Sequence, residues 1–168
     1  QSVSAEEELT RIMPLVTAIK SKLPGTLISV DTYKAEVAEK VLQAGAHMIN
    51  DVWGLRADPQ MASVIARHNA HVVIMHNREA RDNVEIQQNL GGHYTKTTYV
   101  DLIAEVSLEL MESVRIAEAA GIPHDNIILD PGIGFAKTVE QNLFLLNHLD
   151  EIAKLGYPLL LGVSRKSF

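Results

Sequence analysis

Residues 126–135 read N-I-I-L-D-P-G-I-G-F, and this stretch gives the clearest indication of the fold. Three apolar residues lead into Asp130, and a proline-glycine pair follows immediately. Branched apolar side chains favour a buried strand, whereas proline and glycine end one. The stretch therefore predicts a buried strand that brings a carboxylate to the end of a sheet.

The same pattern, an apolar run followed by polar residues, occurs four more times along the chain. Each run predicts a strand, and the five predicted strands cover residues 26–32, 47–52, 71–76, 126–130 and 159–163. The polar residues at the ends of the other four are Asp31, Asn50 with Asp51, His76, and Ser164 with Arg165 and Lys166. Because the runs are apolar throughout rather than alternating, both faces of the sheet are expected to be buried.

Helical periodicity separates the predicted strands. The predicted helices cover residues 4–23, 34–44, a segment from 58, 97–120 and a segment from 138. Ser4 and Thr138 are predicted N-caps, because each has a Glu or Gln three residues later, as in a capping box. Asp58 is predicted to cap the third helix, and Pro14 is predicted to kink or reset the first.

Strands that alternate with helices predict a parallel sheet with right-handed helical crossovers. Two architectures share this order, a doubly wound open sheet and a (β/α)8 TIM barrel. An open sheet usually has a glycine-rich phosphate turn after its first strand, but residues 31–33 read D-T-Y. A barrel instead distributes functional groups over many strand ends. We therefore predict one α/β domain over residues 1–168, an incomplete (β/α)8 TIM barrel with about five central strands.

Residues 77–96 are polar, include the pair Gly91-Gly92 and have no clear period. A loop of this length inside a compact domain is usually functional or mobile. Two interpretations stay open for it, a lid over a site at the strand ends and a disordered surface insertion.

Composition excludes several classes of function. The 168 residues carry a net charge of −6, and nonspecific nucleic-acid binding needs a basic face. No apolar run approaches the length of a membrane span. The absence of cysteine excludes disulfides and thiolate metal sites and fits a cytoplasmic protein. We therefore expect no nucleic-acid partner, no membrane partner and a cytoplasmic location.

Asp31, Asn50 and Asp130 end three different predicted strands and would meet at one mouth of a barrel. A carboxylate can accept two parallel N–H bonds from an aminopyrimidinone edge, and an asparagine offers both a donor and an acceptor. The three residues together therefore suit a flat heterocycle. For each residue alone, a helix cap or a turn is the main alternative.

A second concentrated polar group follows the last predicted strand. Arg165 and Lys166 are flanked by Ser164 and Ser167, and two cations beside two hydroxyls suit an anion or a carbonyl oxygen. A solvated turn is an equal alternative for this group.

Met75 and Phe135 could supply apolar walls to the same mouth, although core packing is the main interpretation of each alone. His68, His71 and His76 lack the spacing of metal ligands on one helix face. We interpret these histidines as surface or packing residues.

Five segments together resemble the dihydropteroate synthase family. They are I-S-V-D-T at 28–32, G-A-H-M-I-N-D-V at 45–52, V-V-I-M-H at 72–76, L-D-P-G-I-G-F at 129–135 and G-V-S-R-K-S at 162–167. The segments occur in that family's order and spacing over nearly the whole chain. The resemblance implies a (β/α)8 barrel that joins p-aminobenzoate to (7,8-dihydropterin-6-yl)methyl diphosphate, releases diphosphate, and is the target of sulfonamide drugs.

The resemblance also implies roles for individual residues. Asp130 would hold the 2-amino and N3 edge of the pterin, and the rest of that pocket would be Asp31, Asn50, Val52, Met75 and Gly162. Lys166 would bind the pterin carbonyl region, and Phe135, Arg165 and Ser167 would lie near p-aminobenzoate. Asp130 and Lys166 are the residues that the resemblance implies in catalysis.

The implied mechanism is substitution at the pterin methylene carbon, with diphosphate leaving before or as the arylamine nitrogen attacks. Mg²⁺ is the implied cofactor, but its expected ligand belongs to an N-x-T-P-D-S-F-S segment that this sequence lacks. The family's G-x-E-S-T-R-P-G and R-V-H-D motifs are also absent, so no metal ligand is predicted within the chain. A homodimer is expected from the resemblance alone.

Two alternatives to the synthase stay open. One is the pterin-binding domain of a corrinoid-type methyltransferase, which shares the barrel and the aspartate and asparagine positions. The other is a noncatalytic pterin-binding fragment. The S-R-K-S segment at 164–167 favours the synthase.

Overall fold

The computed structural model describes residues 3–78, 84–87, 91–94 and 98–166. The helices within these residues are α1 Ala5–Lys22, α2 Ala35–Gln43, α3 Met61–Arg67, α4 Leu102–Ala119, α5 Val139–Asn147 and α6 Leu149–Ala153. The strands are β1 Ser29–Asp31, β2 Met48–Asp51, β3 His71–Met75, β4 Val84–Gln87, β5 Gly91–Tyr94 and β6 Ile127–Asp130. A 3-10 turn, His124–Asn126, leads into β6.

Four strands, β1, β2, β3 and β6, form one parallel sheet in that order. Helix α2 connects β1 to β2, α3 connects β2 to β3, and α4 precedes β6. The register aligns Val30, Ile49, Val72 and Ile127 across the sheet, and all four are buried. The prediction of parallel strands with helical crossovers is therefore confirmed for four of the five predicted strands.

The fifth predicted strand, 159–163, is shorter than expected. Leu159 forms a single parallel bridge with Leu129, and the Leu160 amide donates to the Leu129 carbonyl at 2.8 Å. Leu161 and Val163 are 41% and 46% exposed. The segment lies beside β6 without forming a full ladder, and no strand that the structure describes pairs with its outer side.

The core lies between the parallel sheet and its covering helices. The sheet contributes fully buried branched residues, and the helices contribute small and branched residues that face them. The completely buried members include Val37, Val41, Ile49, Ile65, Val72, Ile74, Val106, Val114, Ile127 and Leu129. Each fully buried side chain of this size stabilises the fold by about 1.5–3 kcal/mol. This core fixes the strand ends on which the polar residues sit.

The predicted caps of the first and fifth helices are confirmed. The Ser4 side chain accepts from the Glu7 amide at 3.1 Å, and Thr138 forms a complete capping box with Gln141. Helix α1 continues through Pro14 as one helix, so this proline does not reset the helix, and the alternative prediction of a kink stays a prediction. Pro14 is exposed, so water can satisfy the carbonyl that the proline leaves without an amide partner.

The prediction that Asp58 caps the third helix is wrong, because α3 begins only at Met61. One Asp58 carboxylate oxygen accepts from the Ala35 amide at 2.8 Å, and the other accepts from the Gln60 amide at 3.0 Å. Ala35 is the first residue of α2, whose own N-cap side chain makes no capping hydrogen bond. Asp58 therefore caps α2 from the following loop.

The predicted loop 77–96 contains a hairpin. Strands β4 and β5 pair antiparallel, with Val84 opposite Tyr94 and Gln87 opposite Gly91. The sequence V-E-I-Q at 84–87 alternates apolar and polar residues, which is a strand pattern too short to predict with certainty. The remainder of that loop, apart from residues 77 and 78, lies outside the described residues, and its role as a lid or an insertion stays a prediction.

Candidate functional site

The carboxyl ends of the four parallel strands place the predicted polar residues on one edge of the sheet. The register pairs Asp31 with Asn50 and Met75 with Asp130. Neighbouring strands lie about 4.8 Å apart, so the row from β1 to β6 spans roughly 14 Å over three strand spacings. That width accommodates a fused two-ring heterocycle.

Asp31 and Asn50 form a direct polar pair. The Asn50 side-chain nitrogen donates to Asp31 Oδ1 at 2.9 Å, which fixes the orientation of the amide. The Asn50 Oδ1 atom is buried and has no hydrogen-bond partner in the described part of the chain. A buried polar atom without a partner is costly, and such atoms occur where a ligand or a rearrangement completes the site.

Asp51, the neighbour of Asn50, has a structural role instead. Its carboxylate is completely buried and accepts from the Trp53 amide at 2.9 Å and the Leu55 amide at 3.0 Å. The turn that it holds contains Gly54 with φ +59°, where an added Cβ would lie 2.9 Å from the Met75 carbonyl oxygen. Consecutive residues at the end of β2 therefore divide into one that faces the site and one that shapes the loop.

Asp130 is a buried carboxylate at the end of β6, only 6% exposed. Its Oδ1 accepts from the Gly132 amide at 2.8 Å. Burial raises the pKa of Asp130, while the Gly132 hydrogen bond and the positive charges of Lys166 and Lys137 act in the opposite direction. A partly desolvated carboxylate with cations nearby is well placed to accept N–H donors from a ligand.

Lys166 lies over the Phe135 ring, with its Nζ 4.2 Å from the ring centroid. Partial burial lowers the pKa of Lys166, and the charge of Asp130 opposes that shift. Gly134 makes room for this side chain, because a Cβ there would lie 2.8 Å from Lys166 Cδ. The structure thus brings together Asp130, Phe135 and Lys166, three residues that the sequence analysis selected separately.

The other predicted site residues differ in how deeply they are buried. Met75 is buried beside Asp130, and Val52 is half-buried directly after β2. Gly162 and Arg165 are exposed, and Arg165 forms no ion pair with any residue that the structure describes. Ser167 lies outside the described residues, so its predicted role is untested.

A buried polar cluster next to Asp130 was not predicted from the sequence. His76 follows β3, is 2% exposed, and its amide donates to the Asp130 carbonyl at 2.8 Å. Its Nε2 lies 3.1 Å from Glu109 Oε2, and its Nδ1 lies 3.0 Å from Lys137 Nζ. Burial lowers the pKa of His76 to about 4. Its position after an apolar strand, like that of Asp130, was the available signal.

Glu109 connects this cluster to Arg78. The Arg78 Nε donates to Glu109 Oε1 at 2.9 Å, and the guanidinium also pairs with Glu105 and lies 4.1 Å from the centroid of the Tyr99 ring. Hydrogen bonds from His76 and Arg78 lower the pKa of Glu109 to about 2, and the bond from His76 has the larger effect. The network ties the end of β3 to helix α4 behind the site.

No group of three His, Asp or Glu side chains in the described ranges is arranged to hold a metal ion. The donor set therefore does not fit a resident Mg²⁺ in this part of the chain. None of the helices that the structure describes is long and apolar enough to cross a membrane.

Comparison with known proteins finds dihydropteroate synthases that match this chain over its whole length. The dihydropteroate synthase of Bacillus subtilis (strain 168) is 48% identical over 168 residues, which are 100% of this chain and 53% of that protein. The crystal structure of dihydropteroate synthase from Clostridium difficile in the presence of pteroic acid superposes with a TM-score of 0.87 at 42% identity, covering 99% of this chain and 57% of that one.

A third comparison is the Xanthomonas albilineans dihydropteroate synthase with 4-aminobenzoic acid, which has a TM-score of 0.84 and 37% identity. It covers 99% of this chain and 57% of that chain. The chain spans about half the length of the curated relatives that it matches. The incomplete α/β barrel predicted from the sequence is confirmed by these superpositions.

The resemblance to dihydropteroate synthase is likewise confirmed by these identities. It does not rest on isolated motifs, because the family model described as "Pterin binding enzyme" matches residues 1–168 without interruption. The chain belongs to the family of pterin binding enzymes.

Proposed function

We propose that this chain is the pterin-recognition part of a dihydropteroate synthase, forming one domain over residues 1–168. The reaction would join p-aminobenzoate to (7,8-dihydropterin-6-yl)methyl diphosphate, giving 7,8-dihydropteroate and diphosphate in folate biosynthesis. The relatives and the solved structures reported above carry the synthase name, which favours this activity over a corrinoid-type methyltransferase.

The observation that carries the proposal is that a buried carboxylate, Asp130, and a partly buried lysine, Lys166, lie close enough for each charge to shift the pKa of the other. Asp130 offers an acceptor for the 2-amino and N3–H donors of a pterin. Lys166 donates no hydrogen bond to a residue that the structure describes, so its ammonium can donate to the pterin carbonyl oxygen. The two groups together complement one edge of the aminopyrimidinone ring.

The remaining residues would complete both substrate sites. Asp31 and Asn50 would face the far side of the pterin, while Val52, Met75 and Gly162 would line its pocket. Phe135, Arg165 and Ser167 would lie near p-aminobenzoate, where an aromatic face and a cation suit a benzoate.

The proposed chemistry is a substitution at the pterin methylene carbon. The bond from this carbon to the diphosphate oxygen breaks, diphosphate leaves with the electron pair, and the arylamine nitrogen forms the new C–N bond and then loses a proton. Asp31 and Asp130 would stabilise the positive charge that develops on the pterin. Holding the two substrates in line would supply the orientation that speeds the attack.

Two further expectations, a cofactor and an oligomeric state, rest on the resemblance. The ligand of Mg²⁺ is expected in the family's N-x-T-P-D-S-F-S segment, which these 168 residues do not contain. A homodimer is proposed on the same ground, and a cytoplasmic location is proposed because the sequence has no cysteine. Light scattering of the purified chain over a range of concentrations would measure its oligomeric state.

Calorimetric titration of the 168-residue chain with pteroic acid tests the proposal. We expect the parent to bind and Asp130→Asn to bind at least about tenfold more weakly, because the amide replaces an acceptor by a donor. Asp150→Asn is the matched control, since Asp150 is an exposed carboxylate on α6. A folded parent that does not bind pteroic acid, or an Asp130→Asn variant with unchanged affinity, would contradict the proposal.

A further inference from the structure

Lys137 is surrounded by three hydrogen-bond acceptors. Its Nζ lies 3.0 Å from the Gly132 carbonyl oxygen, 3.0 Å from the Phe135 carbonyl oxygen and 3.0 Å from His76 Nδ1. A lysine ammonium has three N–H donors and no acceptor. Every donor of Lys137 therefore has a partner inside the protein, which distinguishes this lysine from Lys166.

The same geometry determines the protonation of His76. Its Nδ1 faces an ammonium and must accept, so the ring proton belongs on Nε2, which faces the Glu109 carboxylate. A neutral ring agrees with the lowered pKa of His76, about 4. The histidine thus joins a cation on one side to a carboxylate on the other.

Lys137 holds both ends of a tight turn next to the site. The Phe135 amide donates to the Gly132 carbonyl at 3.0 Å, and Lys137 donates to the carbonyls of the same two residues. The backbone is left-handed at Gly132 and Gly134 in this turn and at Ala136 directly after it, with φ of +71°, +81° and +49°. A non-glycine residue in that region costs conformational energy, so the turn needs contacts that hold it.

We propose that Lys137 is a positioning residue for ligand binding, which ties the 132–135 turn to His76 and thereby fixes Asp130 and Phe135. Its action is indirect, because all three of its donors are used within the protein. The turn also positions Asp130, because the Gly132 amide donates to the Asp130 carboxylate. The inference rests on the proposed function, because Asp130 and Phe135 are its substrate residues.

The charges around Lys137 should make this positioning effect, and with it ligand binding, depend on pH. Burial lowers the pKa of Lys137 to about 7, Asp130 and Glu109 oppose the shift, and Arg78 and Lys166 add to it. His76 also faces the ammonium, but it is neutral near pH 7. A neutral amine has only two N–H donors, so one of the three bonds is lost as the pH rises through about 7.

The test compares pteroic acid dissociation constants for the parent and Lys137→Met between pH 5.5 and pH 8.5, with unfolding free energies measured on the same samples. At the acidic end we expect Lys137→Met to bind about tenfold more weakly than the parent. We expect the parent to weaken as the pH rises through about 7, and Lys137→Met to lack that component. Lys154→Met is the control, because it removes an exposed lysine of a surface ion pair.

A second variant covers the case in which Lys137→Met does not fold. Lys137→Gln keeps two N–H donors and carries no charge, so it should bind more weakly than the parent without the change near pH 7. Folded variants that bind like the parent with the same pH profile would overturn the inference and leave the proposed function standing. A folded parent that fails to bind pteroic acid would overturn both.

Discussion

His76 is a histidine that the fold keeps neutral. Its ring is buried between Glu109 and Lys137, and burial is the main cause of its lowered pKa. The unfolded chain releases this constraint, and the ring there titrates near its ordinary value of about 6.5. Protonation of one side chain is therefore linked to the stability of the cluster behind the site.

The expected consequence is a loss of stability in mild acid. The pKa of His76 is about 4 in the folded state against 6.5 for the free side chain. The stabilisation is therefore present above pH 6.5 and is lost as the pH falls from 6.5 to 4. For a 2.5-unit difference the loss is at most about 3 kcal/mol.

Urea unfolding of the parent and His76→Gln at pH 6.5 and pH 4.5 measures this effect, because glutamine cannot titrate. We expect the free energy of unfolding to fall more steeply for the parent. His71→Gln, which changes an exposed histidine, should keep the slope of the parent. Equal slopes for the parent and His76→Gln would show that His76 is not the linked group.

At the scale of the elements, helix α2 depends on a cap supplied by another part of the chain. Its N-cap residue, Lys34, makes no side-chain capping bond, and the carboxylate of Asp58 accepts from the first helical amide instead. A side chain that accepts from an orphan N–H at a helix start stabilises the helix by about 1 kcal/mol. The contact also fixes the loop after β2 against the start of α2.

We expect Asp58→Ala to lower the free energy of unfolding by about 1 kcal/mol or more, because both the Ala35 and Gln60 amides lose their acceptor. Asp58→Asn keeps an acceptor oxygen and should cost less. Chemical denaturation of the three proteins measures the difference. A smaller loss for Asp58→Ala than for Asp58→Asn would contradict the assigned cap.

At the scale of the whole molecule, sequence patterns predicted the features that depend on neighbouring residues. Apolar runs located the four paired strands, and the alternation with helices predicted their parallel direction. The same rule brought Asp31, Asn50 and Asp130 to one edge, because the carboxyl ends of parallel strands share an edge. These properties follow from patterns among neighbouring residues, so a single sequence was enough to predict them.

The features that were missed depend on contacts between distant residues. The acceptors around Lys137 include His76, 61 residues away in the chain, and Asp58 caps a helix 23 residues earlier. Such partners share no local pattern. The extent of the segment 159–163 also depends on what pairs with its outer side, which is a tertiary property.

The segment beyond β6 leaves an apolar surface. Leu160, Leu161 and Val163 are 36%, 41% and 46% exposed beside a strand end whose backbone is only partly paired. Exposed apolar edges promote pairing between copies of a chain. We expect Leu161→Lys to reduce the concentration-dependent association of this chain, as measured by light scattering.

Leu15→Lys is the matched control for that experiment, because Leu15 is an exposed leucine on α1. Its association should resemble that of the parent. If both lysine variants reduce association equally, general surface charge rather than the edge would be responsible.

The strand register also has a consequence for how the site assembles during folding. Ser29 pairs with Met48 across 19 residues, whereas Val72 pairs with Ile127 across 55 residues. Closing a longer loop costs more chain entropy, and contacts between residues far apart in sequence slow folding. We therefore expect Asp31 and Asn50 to meet before Asp130 arrives beside Met75, which would make the carboxylate at the centre of the proposed site one of the last groups to reach its native neighbours.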